Sequence, residues 1–186
     1  MEQRSYIPNI PDTERKRVVV IGGGFAGLKL VRHLLGQDFQ IILLDKNNFH
    51  QFQPLLYQVA TAGLEPSAIS FPVRKILQKE GNIHFRIAEV QEIHSADKEI
   101  ETDIGLLKYD YLVLAMGAST NFFGQENIEQ YALNMKSAAD AIQIRNTILE
   151  NFELALLQSS AEKAGEYLNI VLVGGGPTGV ELAGAL

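Results

Sequence analysis

The 186-residue chain is 46% hydrophobic and 20% charged, an ordinary globular balance and enough for one core, or one domain and part of another. Sixteen Lys and Arg against 22 Asp and Glu leave a net charge of −6, which argues against nucleic acid as a partner. There is no cysteine, so a disulfide framework and a thiolate metal site are excluded, and the four histidines show no metal-ligand spacing.

Residues 1–15 read as a polar leader, extended because Pro8 and Pro11 turn their neighbours away from helix, and lacking the apolar core of a signal peptide. Arg17–Ile21 is a β-branched run that fits a strand buried on both faces of a parallel sheet. Phe25–Leu35 carries Leu28, Val31, Leu34 and Leu35 at helical spacing, with Gly36 as its stop. Gln40–Leu44 is a second buried strand ending at Asp45, which completes a βαβ unit. Lys46–Pro54 reads as a polar and aromatic loop. Leu55–Ala60 and Ser67–Lys79 read as helical, with Pro72 marking a break or restart. Ile83–Val90 is a strand, Lys98–Thr102 and Leu106–Tyr109 an antiparallel hairpin, and Tyr111–Ala115 a buried strand.

Asn121–Leu133 reads as a loop. Ala138–Gln158 is a long helix capped by Ser137 with Asp140 three residues on, and its apolar stripe is Ala141, Ile142, Ile148, Leu149, Phe152, Ala155 and Leu156. Ser159–Glu166 is a linker, Leu168–Val173 a strand, and Val180 onward a helix. The run Ile170–Leu186 is too short and too broken by glycine to span a membrane, which takes ~20 apolar residues. The fold expected is α/β and Rossmann-like, a parallel sheet with helices plus an antiparallel hairpin, and truncated. Residues 16–120 form the first dinucleotide domain. Residues 121–186 form a connecting loop, the long helix and the start of a second domain. The second βαβ unit lacks its second strand, so the chain reads as a soluble fragment. Residues after about Ser159 are expected to be disordered or to pack on another copy.

Two glycine clusters carry the chemistry. Gly22-Gly23-Gly24-Phe25-Ala26-Gly27 is a G-x-G-x-x-G between strand and helix. Gly22 permits the tight turn, Gly24 lets a pyrophosphate approach, and Gly27 lets helix and strand pack closely. Asp45 closes the next strand 18 residues past Gly27, where a carboxylate accepts the hydroxyls of an adenosine ribose and repels a 2′-phosphate. The second cluster, Gly174-Gly175-Gly176-Pro177-Thr178-Gly179, leads to Glu181, which from spacing alone dipole compensation in the first helical turn explains slightly better than chemistry does. Phe49–Tyr57 follows the ribose strand with aromatic, amide and imidazole groups that suit a flavin ring. His50 reads equally as a capping or surface histidine, and Phe52 and Tyr57 as core.

With these residues in view, the chain resembles the type II NADH dehydrogenases, the single-subunit NADH:quinone oxidoreductases among the two-dinucleotide-domain flavoproteins. VVVIGGGFAGL looks like the family's FAD fingerprint, NNFHQFQPLLYQVATAGLEP like the segment after the ribose acid, YDYLVLAMGASTNFFG like the strand returning to the FAD domain, and IVLVGGGPTGVELAGAL like the NADH fingerprint. Met116 stands where threonine is usual. The resemblance implies FAD contacts at Gly22, Gly24, Phe25, Ala26, Gly27, Asp45, Lys46, His50, Gln53, Pro54, Leu55, Leu56, Val90, Ala115, Met116 and Gly117. It implies NADH contacts at Gly174, Gly176, Pro177, Thr178, Gly179 and Glu181, with Glu181 also the candidate catalytic residue.

The implied activity is hydride transfer from NADH to FAD and two-electron reduction of a quinone, without proton pumping. Implied with it are a peripheral position on the cytoplasmic face of the inner membrane through segments outside this chain, and a homodimer. Disulfide reductases and sulfide:quinone oxidoreductases share the architecture but need cysteines. The alternatives kept are a ferredoxin-reductase or apoptosis-inducing-factor-like enzyme, and an inactive cofactor-binding module.

Overall fold

A computed structural model describes residues 5–77 and 82–186; Met1–Arg4 of the leader and Gln78–Lys79 of the expected second helix lie outside the described residues. In chain order come β1 (Lys16–Ile21), α1 (Phe25–Leu34), β2 (Phe39–Asp45), β3 (Phe49–Gln51), α2 (Leu56–Ala60), β4 (Ser70–Pro72) and α3 (Val73–Ile76). They are followed by β5 (Ile83–Ile87), β6 (Val90–His94), β7 (Glu99–Thr102), β8 (Gly105–Lys108) and β9 (Tyr111–Leu114). The last elements are α4 (Glu126–Tyr131), α5 (Ala138–Leu156), α6 (Ala161–Leu168) and α7 (Pro177–Ala185). Contacts divide the chain into two units, Met1–His50 with Phe71–Ala118, and Gln51–Ser70 with Ser119–Leu186. Gln51–Ser70, which the sequence reading kept in 16–120, therefore belongs by contact to the second unit.

The first unit is built on a parallel sheet of order β5-β2-β1-β9. Alternate residues of β1 and β2 feed two cores. Val18, Val20, Ile41 and Leu43 pack with Leu28 and Val31 of α1, while Val19, Ile21, Ile42 and Leu44 pack with Ile100 and Leu107. Covering both faces is what an unbroken apolar strand requires, and each such side chain fully buried is worth ~1.5–3 kcal/mol. The second cover is the antiparallel sheet β6-β7-β8. The sequence showed only its last two strands, because Ile83–Val90 read as one strand. The chain instead turns after Ile87, Ala88 N–H donates to Asp45 O (3.0 Å), and a new strand begins at Val90.

From Ser5 on, the leader is strapped down. Ile7 is buried and its N–H donates to Leu106 O (2.9 Å), and Leu106 N–H donates to Ser5 O (3.0 Å). Gln40, buried in β2, accepts from Arg17 Nε (2.6 Å) and donates to Pro11 O (2.6 Å). Arg86 donates to Asn9 O (2.6 Å). Asp110 accepts from the Arg17 N–H (2.8 Å) and pairs with Lys16 (2.9 Å), and these two bonds hold its carboxyl below the usual carboxylate range.

In the second unit, α2 and α7 pack together and α5 packs on both α2 and α6. Its core is Leu56, Val59, Ala60, Ile69, Ala141, Ile144 and Leu182. Ser137 and Asp140 form a reciprocal capping box on α5, as the sequence reading expects. Gln51 Oε1 accepts another N–H of that helix end, from Ala138 (2.5 Å). Several expectations fail here. Asn121–Leu133 contains α4, and the supposed linker is α6, capped by Ser160. Segments α6 and α7 are formed and packed, against the expectation that residues after Ser159 lack partners. The expected strand Leu168–Val173 does not form: Leu168 ends α6, and no strand among the described residues pairs with Ile170–Val173. The short segment before Pro72 is β4, which pairs with β3, rather than helix. Leu149, Phe152 and Leu156 of the α5 stripe are exposed, while Ile144, outside the stripe, is buried. No helix among the described residues is long and apolar enough to cross a membrane.

Candidate functional site

The first glycine turn lies at the C-terminal ends of β1, β2 and β9. Gly22 has φ +107°, and its N–H donates to Leu44 O (2.8 Å). A Cβ at Gly22 would collide with Ala115 O, and one at Gly27 would collide with Gly22 O. At Gly24 nothing lies within 4 Å of such a Cβ. Two glycines thus close the packing under the turn and the one between them faces open space. Gly24 is also the N-cap of α1, and it brings no side chain to occupy the first helical N–H groups. That combination can take a phosphate.

Asp45 stands beside this turn. Its Oδ2 accepts from Gly23 N–H (2.5 Å) and its Oδ1 from Asn47 N–H (2.7 Å). The acid that the sequence reading gave to a ribose therefore also anchors the turn, and each oxygen keeps a further lone pair for a hydroxyl. His50 lies on the other side, its Nδ1 3.1 Å from Gly23 O and its ring edge-on to Phe25 at 5.0 Å. Phe25 and Ala26 are exposed at the head of α1, and Lys46 is exposed just past Asp45. Ala115 N–H donates to Ile21 O (2.8 Å), which brings Ala115, Met116 and Gly117 to the turn's flank, with Gly117 at φ +76°. Val90 is half-buried on the segment that leaves Asp45 through Ala88. Twelve of the FAD residues named from sequence are thus in the first unit: Gly22, Gly24, Phe25, Ala26, Gly27, Asp45, Lys46, His50, Val90, Ala115, Met116 and Gly117.

The rest lie in the second unit. Gln53 and Pro54 are exposed in a single 3-10 turn, Leu55 is half-buried and Leu56 is buried. Gly174 has φ +119°, a Cβ at Gly179 would collide with Gly174 O, and Gly176 faces open space as the N-cap of α7. Pro177 takes the first helical position, as expected. Glu181 is the fifth residue of α7 and so lies beyond the first turn, which removes dipole compensation as its explanation. It is exposed, and the adjacent Leu182 is buried in the core shared with α2.

Sequence reasoning missed three participants: Gly23, whose peptide groups are gripped; Ala88, which ties β5 to Asp45; and Gln51, the cap on α5. Only Gln51 left a trace, as a polar residue inside an aromatic run. The strands also bring His94 between Glu92 and Glu101 at 3.7 Å each, and ligand-capable atoms of the three lie within 4.8 Å. Spacing hid this because Glu101 comes from the neighbouring strand. The imidazole separates two carboxylates that face each other across the ladder, where like charges destabilise.

Known proteins match over most of the chain. The type II NADH:quinone oxidoreductase Ndh of Mycobacterium tuberculosis is 37% identical over 183 residues, spanning 96% of this chain and 40% of the relative. The mitochondrial external alternative NAD(P)H-ubiquinone oxidoreductase B1 of Solanum tuberosum is 34% identical, over 96% of this chain and 33% of the relative. NDH2 from Plasmodium falciparum, solved in complex with NADH, superposes with a TM-score of 0.82 at 26% identity, over 92% of this chain and 37% of that one. The chain thus spans well under half the length of these relatives. The pyridine nucleotide-disulphide oxidoreductase family matches residues 16–186, from the start of β1 to the end of α7, and the chain belongs to that family.

Proposed function

We propose that the protein holds FAD at the first glycine turn and NADH at the second, and that as a whole it is a non-electrogenic NADH:quinone oxidoreductase. Residues 16–120 then serve the FAD domain and 121–186 lead into the NADH domain. The observation that carries this reading is the open Gly24 between two packed glycines, with Asp45 at the end of the adjacent parallel strand. Bound there, FAD would supply the two-electron redox chemistry that links NADH to a quinone.

The chain's own residues bind and orient. The head of α1 faces the pyrophosphate with N–H groups and the positive end of its dipole. Asp45 accepts ribose hydroxyls through lone pairs left by Gly23 and Asn47. The segment Ala88–Val90 offers backbone to the adenine, and Ala115–Gly117 flank the phosphates. Packing of α2 on α7 keeps Pro54, Leu55 and Leu56 on the same unit as Gly174–Gly179 and Glu181. Glu181, exposed and free of a helix-start role, is the candidate contact to both rings. The relatives' names support the quinone, and for the whole protein the proposal includes a peripheral place on the cytoplasmic face of the inner membrane.

Visible absorbance of the purified chain tests the first site directly: flavin bands after saturation with FAD and gel filtration are expected, and a colourless chain overturns the assignment. For the whole protein, NADH oxidation with quinone should far exceed NADH oxidation with ferredoxin; the reverse ranking favours a ferredoxin-type reductase. The 186-residue chain alone is expected to show little NADH:quinone activity, and rapid turnover by it would count against two cooperating sites built from a longer protein.

A further inference from the structure

Gly23 is held through both of its peptide planes. Its N–H, in the plane shared with Gly22, donates to Asp45 Oδ2 (2.5 Å). Its C=O, in the plane shared with Gly24, faces His50 Nδ1 at 3.1 Å. No cis peptide occurs among the described residues, so each N–H points opposite the carbonyl of the preceding residue in the same peptide plane. Asp45 on one plane therefore turns Gly22 C=O the other way, toward Gly27, where a Cβ would meet it. By the same geometry, His50 on the next plane turns Gly24 N–H away from the imidazole. Gly24 is exposed, and its would-be Cβ meets nothing within 4 Å.

A carbonyl only accepts, so Nδ1 must carry the proton, whichever state Nε2 takes. Phe25, edge-on at 5.0 Å and 87°, fixes the plane of the ring. We propose that His50 is a positioning residue of the phosphate-binding turn: through Nδ1–H on Gly23 O it aims the Gly24 N–H at the dinucleotide pyrophosphate. This rests on the FAD reading above, and it differs from the expectation that His50 touches the flavin.

Two substitutions separate the roles. In His50→Asn the side-chain amide nitrogen stands where Nδ1 stands, with nothing in place of Nε2; in His50→Leu the donor is gone. FAD titrated into the cofactor-free 186-residue chain is expected to bind about tenfold more weakly to His50→Leu, and within about threefold of wild type to His50→Asn, the scale of one hydrogen bond of ordinary strength. The visible spectrum of FAD bound to His50→Asn should match wild type. An Asn variant as weak as the Leu variant, or one with a shifted flavin spectrum, overturns the proposal. Nitrogen-15 NMR of the His50 ring gives a readout that needs no FAD. A protonated Nδ1 is expected, and a neutral ring protonated only at Nε2 overturns the clamp. Should the wild-type chain bind no FAD, the function reading falls and the ring tautomer alone decides whether His50 grips the turn.

Discussion

The two glycine turns have nearly the same local shape. Gly22 and Gly174 sit at φ +107° and +119°, Gly24 and Gly176 cap their helices at φ −75°, and Gly27 and Gly179 each press on the carbonyl of the first glycine. The segments that lead into them are unlike. Val19 and Val20 in β1 are fully buried between β2 and β9, whereas Val171 and Val173 are 83% and 71% exposed and pair with no strand among the described residues. A glycine turn and the helix start after it are local properties, settled by φ and a missing Cβ. A strand exists only with neighbours to bond, however β-branched its sequence.

The comparison breaks or sharpens first at the third glycine of each turn. Gly27→Ala drives a methyl into Gly22 O, whose peptide plane is held by the Gly23 N–H bond to Asp45, and should destabilise by about 3 kcal/mol or more. Gly179→Ala makes the same collision, but Ile170–Val173 joins no ladder among the described residues and can shift, so about 1 kcal/mol or less is expected. Urea unfolding measures both, and equal losses would show that the strand does not brace the turn. Core substitutions extend the contrast: Leu43→Ala in β2 should cost ~2–5 kcal/mol, and Leu156→Ala on the exposed end of α5 less than ~0.5 kcal/mol.

Asp45→Ala removes the turn anchor and the ribose acceptor together, so FAD should bind at least about tenfold more weakly, with a stability loss of ~1–3 kcal/mol even without FAD. Unchanged flavin retention would remove Asp45 from the ribose. The smallest effect is a pH dependence confined to the first unit. Burial, then Arg86 and Arg17, hold the His84 imidazole below its ordinary value of 6.5. The unfolded chain therefore takes up that proton first as pH falls through 6.5. The neutral ring's contribution is full above this pH and declines below it, down to the folded value. Thermal unfolding at pH 7.5 and 5.5 should show the decline, and His84→Gln should flatten it.

Much of the first unit is legible in the sequence, because β1, α1 and β2 are long, apolar with clear periods, and punctuated by glycine. What escaped was short or set by distant partners. The three-residue strands β3 and β4 carry no period to read. Helix α6, with Gly165 inside it, shows little beyond its Ser160 cap. The outward half of the α5 stripe looks the same as a buried one, since periodicity marks a face and not what covers it. At the site, the glycines and Asp45 are visible from spacing. Their second uses are not: the grip of Asp45 and His50 on Gly23 depends on which strand ends the fold brings together.

The order β5-β2-β1-β9 has a consequence for how the chain is made. Lys16 meets its β2 partner Phe39 soon after synthesis, but Val18 waits for Tyr111. Until β9 emerges from the ribosome, the β9-facing edge of β1 is an unpaired row of N–H and C=O groups on an apolar strand, the kind of edge that pairs with other chains. Closing so long a loop also slows folding relative to a helical chain of this size. Yield in cells is therefore expected to be most sensitive to changes that delay or weaken β9, even though its exposed Tyr111 and Leu114 contribute little buried area to the finished sheet.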